Sequence, residues 1–281
     1  MDVTTADGVR LALHRAPPVG KARGVVLLGH AMMANARSLE PLQRALARAG
    51  LDAFALDFRG HGRSRPPDPR RHRWPFDAYV DQDLPAALAA VSAETRTPID
   101  AITWIGHSLG GLVGLAHAAR RVADGRPAPA RMVAVCTSLW RAGPRAPLRR
   151  RMLASAYVGL ARAFRGAPIR RLGLGSDDEN PAYVAEWGRW ALSERWTAED
   201  GYDFGGALAR IDARVLCVWG AGDWMCTDAD AMALALELPG ASVQTLCIAR
   251  SAGFPRDADH FAPVRDARLG AAWDAIAAFA G

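Results

Sequence analysis

Short apolar runs alternate with helical repeats along most of the chain. Residues 24–29 (GVVLLG), 53–57 (AFALD), 101–106 (AITWIG), 132–137 (MVAVCT) and 215–220 (VLCVWG) are too short for helices and apolar nearly throughout. That pattern suits strands buried on both faces, and 243–248 reads as a further strand. Between them the spacing turns helical: 39–50 after Ser38 and closed by Gly50, 76–91 with a kink at Pro85, a stretch opening near Ser108, then 227–238 and 264–279. Residues 9–15 follow the turn signal Asp7-Gly8 and predict a small antiparallel ribbon. Strands alternating with helices imply a mostly parallel sheet covered on both faces.

The alternation breaks once. Residues 139–206 contain helical patterns and the bulky Trp140, Trp187, Trp190 and Trp196, but no strand-like run. They predict a helical lid inserted into a core formed by 1–138 and 207–281. Within the lid, Leu148, Met152, Ala156, Leu160 and Phe164 recur at helical spacing. The stretch 141–171 also carries nine arginines (Arg141, Arg145, Arg149, Arg150, Arg151, Arg162, Arg165, Arg170, Arg171) and no acid. Two readings follow. The helix attracts an anionic substrate or rests weakly on an anionic surface, or its arginines form a solvated face paired partly with Asp177, Asp178, Glu179 and Glu186.

The strongest chemical signal is Gly106-His107-Ser108-Leu109-Gly110-Gly111, placed directly after a strand and opening a helix. A serine on so sharp a turn needs glycines two residues to either side, because side chains there would collide. The turn lifts the hydroxyl above the sheet, where the helix N-terminus favours developing negative charge. A serine served by a triad on such an elbow is followed in the chain by an acid and then a histidine. Of the seven histidines, His117 and His260 follow Ser108, and His117 falls within the predicted helix. His260, in the loop DADHFAP, is therefore the expected base. Asp223 closes the run WGAGD after the penultimate strand and is the expected acid. Asp228 and Asp230 fall on the next helix, and Asp257 and Asp259 lie too near His260 in sequence. For an oxyanion, the expected donors are the N–H groups of Leu109 and Ala31, with Met32 as the alternative to Ala31. Met32, His107, Trp140, Trp187 and Trp224 are expected around the substrate. His30 and the turn Asp57–Ser64 (DFRGHGRS) read as loop packing.

Together GHAMM (29–33), DFRGHGRS (57–64), GHSLGG (106–111), WGAGD (219–223) and DHF (259–261) resemble the α/β-hydrolase superfamily over nearly the whole chain. The stretch YVAEWGRW (183–190) looks like a poorly characterised group of bacterial predicted hydrolases and esterases. The resemblance implies an α/β-hydrolase fold with a helical lid before the penultimate strand, and a Ser-His-Asp serine hydrolase without metal or organic cofactor. Two positions depart from the common pattern: Gly29-His30 stands where His-Gly is usual, and Asp259 replaces a glycine before the histidine.

Composition changes little. The net charge is +6, but Lys21 is the only lysine and no nucleic-acid motif accompanies the arginines, so no nucleic-acid partner is expected. Cys136, Cys217, Cys226 and Cys247 form no CxxC pair and are read neither as zinc ligands nor as disulfides. No run approaches the ~20 apolar residues of a membrane span, and no secretory signal is apparent, so a cytoplasmic location is expected. The expected activity is carboxylic-ester hydrolysis on a small-molecule acyl substrate. The same triad serves a thioesterase, peptidase, lactonase or acyltransferase equally well, and a non-catalytic binding protein on this fold is the reading from another class.

Overall fold

The computed structural model describes residues 1–66 and 68–281. The chain opens with β1 (Asp2–Thr4) and β2 (Arg10–Ala16), the ribbon expected after Asp7-Gly8. It continues through β3 (Gly24–Gly29), α1 (Glu40–Arg48), β4 (Leu51–Asp57), α2 (Leu84–Thr95), β5 (Thr103–His107), α3 (Leu109–Ala123) and β6 (Arg131–Val135). After β6 come α4 (Leu148–Ala163), α5 (Pro181–Ser193) and the short α6 (Phe204–Ala207). The core resumes with β7 (Arg214–Gly220), α7 (Asp228–Leu236), β8 (Ser242–Ile248), α8 (Ala262–Arg265) and α9 (Gly270–Ala280).

The strands form one sheet in the order β1-β2-β4-β3-β5-β6-β7-β8. β1, β2 and β4 pair antiparallel, and every pairing from β4 through β3 to β8 is parallel. The unbroken apolar runs follow from burial on both faces. Leu27, Phe54, Trp104, Met132 and Cys217 point into one core with α2, α3 and α5. Their neighbours Leu28, Ala55, Ile105, Val133 and Leu216 point into the other, with α1 and α9. β8 is an edge strand and largely exposed, which explains its weaker apolar character.

Three helix boundaries differ from the expected ones. Asn35, not Ser38, accepts the capping hydrogen bond, from Arg37 N, and a 3₁₀ turn precedes α1. The helix expected over 76–91 is one continuous helical stretch that runs on to Thr95: a wide π-type turn over Tyr79–Asp83, in which Leu84 N–H reaches back to Tyr79 O, passes directly into α2 with Pro85 at the join. A proline has no N–H to give the preceding turn, and the widened turn is the distortion that accommodates it. The expected helix 264–279 splits into α8 and α9, because the Asp266 side chain accepts from Arg268 N and starts a new turn.

Helix α4 buries a different face from the expected stripe. Leu148, Met152 and Phe164 are exposed, and the buried side of α4 is Ala154, Val158 and Ala161. Val158 packs where Gly188 of α5 has no side chain. The ion pairing is corrected too: Arg141 pairs with Glu237 and Arg150 with Asp230, both core acids. Asp177 to Glu186 bind elsewhere. Asp178 faces Arg70, Glu179 faces His61, and Glu186 faces Arg189 and Phe76 N. Among the described residues no helix is long and apolar enough to cross a membrane.

Candidate active site

Ser108 stands between the end of β5 and the start of α3 with φ 52° and ψ −110°, a conformation that side chains rarely adopt. It persists because its surroundings fix it. Ser108 N–H donates to Val135 O at 2.8 Å, and Gly110 N–H donates to His30 O at 3.1 Å. A Cβ on Gly106 would strike the backbone of Gly110, and one on Gly110 would strike the backbone of Gly29. The glycines are what let the elbow pack this tightly.

His260 and Asp223 reach the same edge of the sheet from the loops after β8 and β7. His260 Nδ1 lies 2.7 Å from Asp223 Oδ2. The other carboxylate oxygen, Oδ1, accepts from Met225 N (2.8 Å) and Cys226 N (3.0 Å), so the acid is fixed from behind. A carboxylate only accepts, so Nδ1 carries a proton towards Asp223. Nε2 is buried and without a hydrogen-bond partner among the described residues. The other acids are committed elsewhere. Asp228 accepts from Trp219, Asp230 closes a capping box with Thr227, Asp257 accepts from Arg250 N, and Asp259 from Phe261 N and Ala262 N.

A cavity of about 830 Å³ opens above these groups, and both Ser108 and His260 line it. Ala31, Met32, Leu109, Trp140, Trp187 and Trp224, all expected near the substrate or the oxyanion, line it as well. The N–H groups of Ala31, Met32 and Leu109 have no acceptor among the described residues. His107, expected at the substrate, is the exception. It does not line the cavity, and it is buried with Nε2 2.8 Å from the carbonyl of His260. Burial holds its pKa well below the usual imidazole range, so the neutral ring donates from Nε2 and props the His260 loop. His117 is likewise buried in α3, with Nδ1 on the Val80 carbonyl.

Several lining residues carried no motif: Leu112, Cys136, Leu153, Tyr157, Leu174 and Arg265. Half of them come from residues 139–206, where no fixed spacing announces them. Cys136 follows β6 with φ 47°, and burial, reinforced by the Asp223 charge, pushes its thiol well above the usual range. One donor atom each of His107, Cys136 and His260 lie within 4.8 Å of one another. An ion held there would occupy His260 and compete with its use as a base.

His30 and the turn after β4 do structural work. His30 Nδ1 faces the Ala31 carbonyl and Nε2 accepts from Phe58 N, with burial lowering its pKa to about 4. Asp57 accepts from Ala36 N, Arg63 N and His14, while Ser64 bridges Asp57 O and Ala12 N.

The family model described as serine aminopeptidase, S33, matches residues 20–184. A monoacylglycerol lipase of Mycolicibacterium smegmatis is 33% identical over 113 residues, 40% of this chain and 39% of that protein. Lipase lipl-1 of Caenorhabditis elegans is 32% identical over 131 residues, 40% of this chain and 32% of that protein. The matches therefore span well under half the length of these curated relatives. Among solved structures, a thermophilic esterase from Thermogutta terrifontis superposes with a TM-score of 0.66 at 21% identity, covering 98% of this chain and 96% of that one. An esterase from Exiguobacterium antarcticum gives 0.67 at 14% identity, covering 100% and 99%. The structural likenesses carry the fold and the matched family carries the kinship: the chain belongs to the serine aminopeptidase S33 family of α/β-hydrolases.

Proposed function

We propose that the protein hydrolyses carboxylic esters through an acyl-enzyme on Ser108, with His260 as base, Asp223 as its orienting partner and residues 139–206 as a lid over the acyl pocket. One observation carries this reading: the two nitrogens of His260 have opposite fates. Nδ1 is tied to Asp223, and Nε2 is left buried and unpaired in the cavity wall that Ser108 shares.

In this mechanism Ser108 Oγ attacks the acyl carbonyl while its proton passes to His260 Nε2. The N–H groups of Leu109 and Ala31 hold the resulting oxyanion. Collapse expels the alcohol, which leaves with the proton from Nε2. Water then gives a proton to the same nitrogen and attacks the acyl carbon, and as the second intermediate collapses Nε2 returns that proton to Ser108 Oγ and the acid departs.

The lining favours esters over aminoacyl peptides. Leu112, Leu153, Leu174, Trp140 and Trp187 offer apolar surface. No Asp or Glu is found among the described lining residues, so nothing there would pair with the ammonium of a peptide N-terminus. The monoacylglycerol lipase relative supports the same substrate class. The outward stripe of α4, flanked by arginines, supports contact between the lid and an anionic lipid surface.

The test is a panel of esters, thioesters and aminoacyl amides of graded length, run with the wild type and Ser108→Ala. Esters with apolar acyl groups should be turned over best, and Ser108→Ala should lose all of it. Preferred cleavage of aminoacyl amides, or turnover surviving in Ser108→Ala, would overturn the proposal.

A further inference from the structure

A short strap, residues 175–180, joins the lid helices and grips the loop after β3. Ser176 N–H donates to Met33 O at 2.9 Å. Asp177 accepts from Gly62 N at 2.9 Å and from Asn35 Nδ2 at 2.6 Å. Glu179 goes deeper. It is fully buried, and its Oε1 accepts both from Met33 N–H and from His61 Nε2, the latter at 3.3 Å. Met33 is thus held at its N–H and its C=O, and it has φ 60°, a strained value for a residue with a side chain.

His61 supports the carboxylate from below. Its Nδ1 lies 3.0 Å from the Arg59 carbonyl, and its Nε2 faces Glu179. Both neighbours only accept, so both nitrogens donate and the ring is an imidazolium. Burial opposes that charge, but the charge and hydrogen bond of Glu179 outweigh it and raise the pKa to about 9. A buried pair of this kind resists rearrangement, because separating the partners strands a charge. With Met33 N–H committed to Glu179, the next N–H groups back along the loop are those of Met32 and Ala31, and both are without an acceptor among the described residues.

We propose that Glu179 is a positioning residue for the oxyanion loop: from within the lid, it fixes the peptide at Met33 and so the direction of the Ala31 and Met32 N–H groups. Docking of the strap and assembly of the oxyanion hole are then one event. This rests on the reading of Ala31 or Met32 as an oxyanion donor.

The experiment compares Glu179→Ala, Glu179→Gln and Asn180→Ala for kcat, KM and Tm on a good ester substrate, with Ser108→Ala alongside. Asn180 anchors the same strap through the Pro69 and His72 carbonyls without touching residues 31–33. Losing one oxyanion donor outright lowers kcat about 10²–10³-fold, so a mis-set donor in Glu179→Ala should lower it about ten- to hundredfold, with KM nearly unchanged. Glu179→Gln keeps an acceptor for Met33 N–H and should recover part of the loss. Asn180→Ala should lower Tm but leave kcat near wild type. If Glu179→Ala fails to fold, the contrast between Glu179→Gln and Asn180→Ala carries the test. Wild-type kcat in the Glu179 variants, or an equal fall of kcat in Asn180→Ala, would overturn the positioning role. Turnover surviving in Ser108→Ala would instead remove the reading beneath it.

Discussion

The carboxyl edge of the sheet and the segment above it are held by different kinds of bond. At the edge, backbone meets backbone: Ser108 N on Val135 O, Gly110 N on His30 O, Gly222 N on Ala258 O. Above it, beside the backbone bond from Ser176 N to Met33 O, side chains carry most of the attachment: Asp177 and Glu179 to the loops after β3 and β4, Asn180 to the turn near Pro69, Arg150 to Asp230 and Arg141 to Glu237. Backbone contacts depend on glycine and on strand register, and they tolerate little variation. Side-chain anchors can be exchanged one at a time. In the proposed mechanism this is a division of labour, in which a backbone-bonded edge presents Ser108, His260 and Asp223 and a replaceable cover shapes the pocket.

Asp223→Asn strikes the edge hardest. It should lower kcat by about 10⁴-fold while folding normally, because an amide in place of the carboxylate favours the wrong tautomer of His260. Measured rates within tenfold of wild type would mean that the edge does not work as a triad. The lid predicts smaller effects on stability alone. Val158→Ala empties space between α4 and α5 and should destabilise by about 2 kcal/mol in denaturant unfolding. Met152→Ser lies on the outward stripe and should change stability by less than about 0.5 kcal/mol, while weakening binding to anionic vesicles. Equal costs for the two substitutions would place the wrong face of α4 inward and erase the contrast.

The same contrast explains what could be read from the chain beforehand. The five apolar runs and the glycine-bounded elbow are dictated by backbone geometry, so GVVLLG was legible down to single residues and GHSLGG as the strand-to-helix turn, while the strand read over 101–106 begins only at Thr103, because residues 99–101 form a 3₁₀ turn. His260 and Asp223 followed from their order after Ser108. The lid was legible as helical, but its orientation was not. The spacing of Leu148, Met152 and Phe164 gives a helix face, and nothing in that spacing says whether the face meets protein or solvent. Glu179 was given to the arginines of 141–171 for a related reason: its actual partners His61 and Met33 lie more than a hundred residues away, and its pairing exists only once residues 139–206 and the core have met. His107 lies off the cavity because its buried ring meets the carbonyl of His260, a contact that exists only once the loop after β8 has packed beside the elbow.

The central claim is that the Ser108 hydroxyl surrenders its proton to His260 and becomes the acyl carrier. Fluorophosphonate treatment followed by intact-mass measurement and peptide mapping tests it most directly. The account predicts one adduct on the wild type, mapped to Ser108, with none on Ser108→Ala and greatly slowed formation on His260→Ala. An adduct mapped to another residue, or labelling at the wild-type rate without His260, would contradict it.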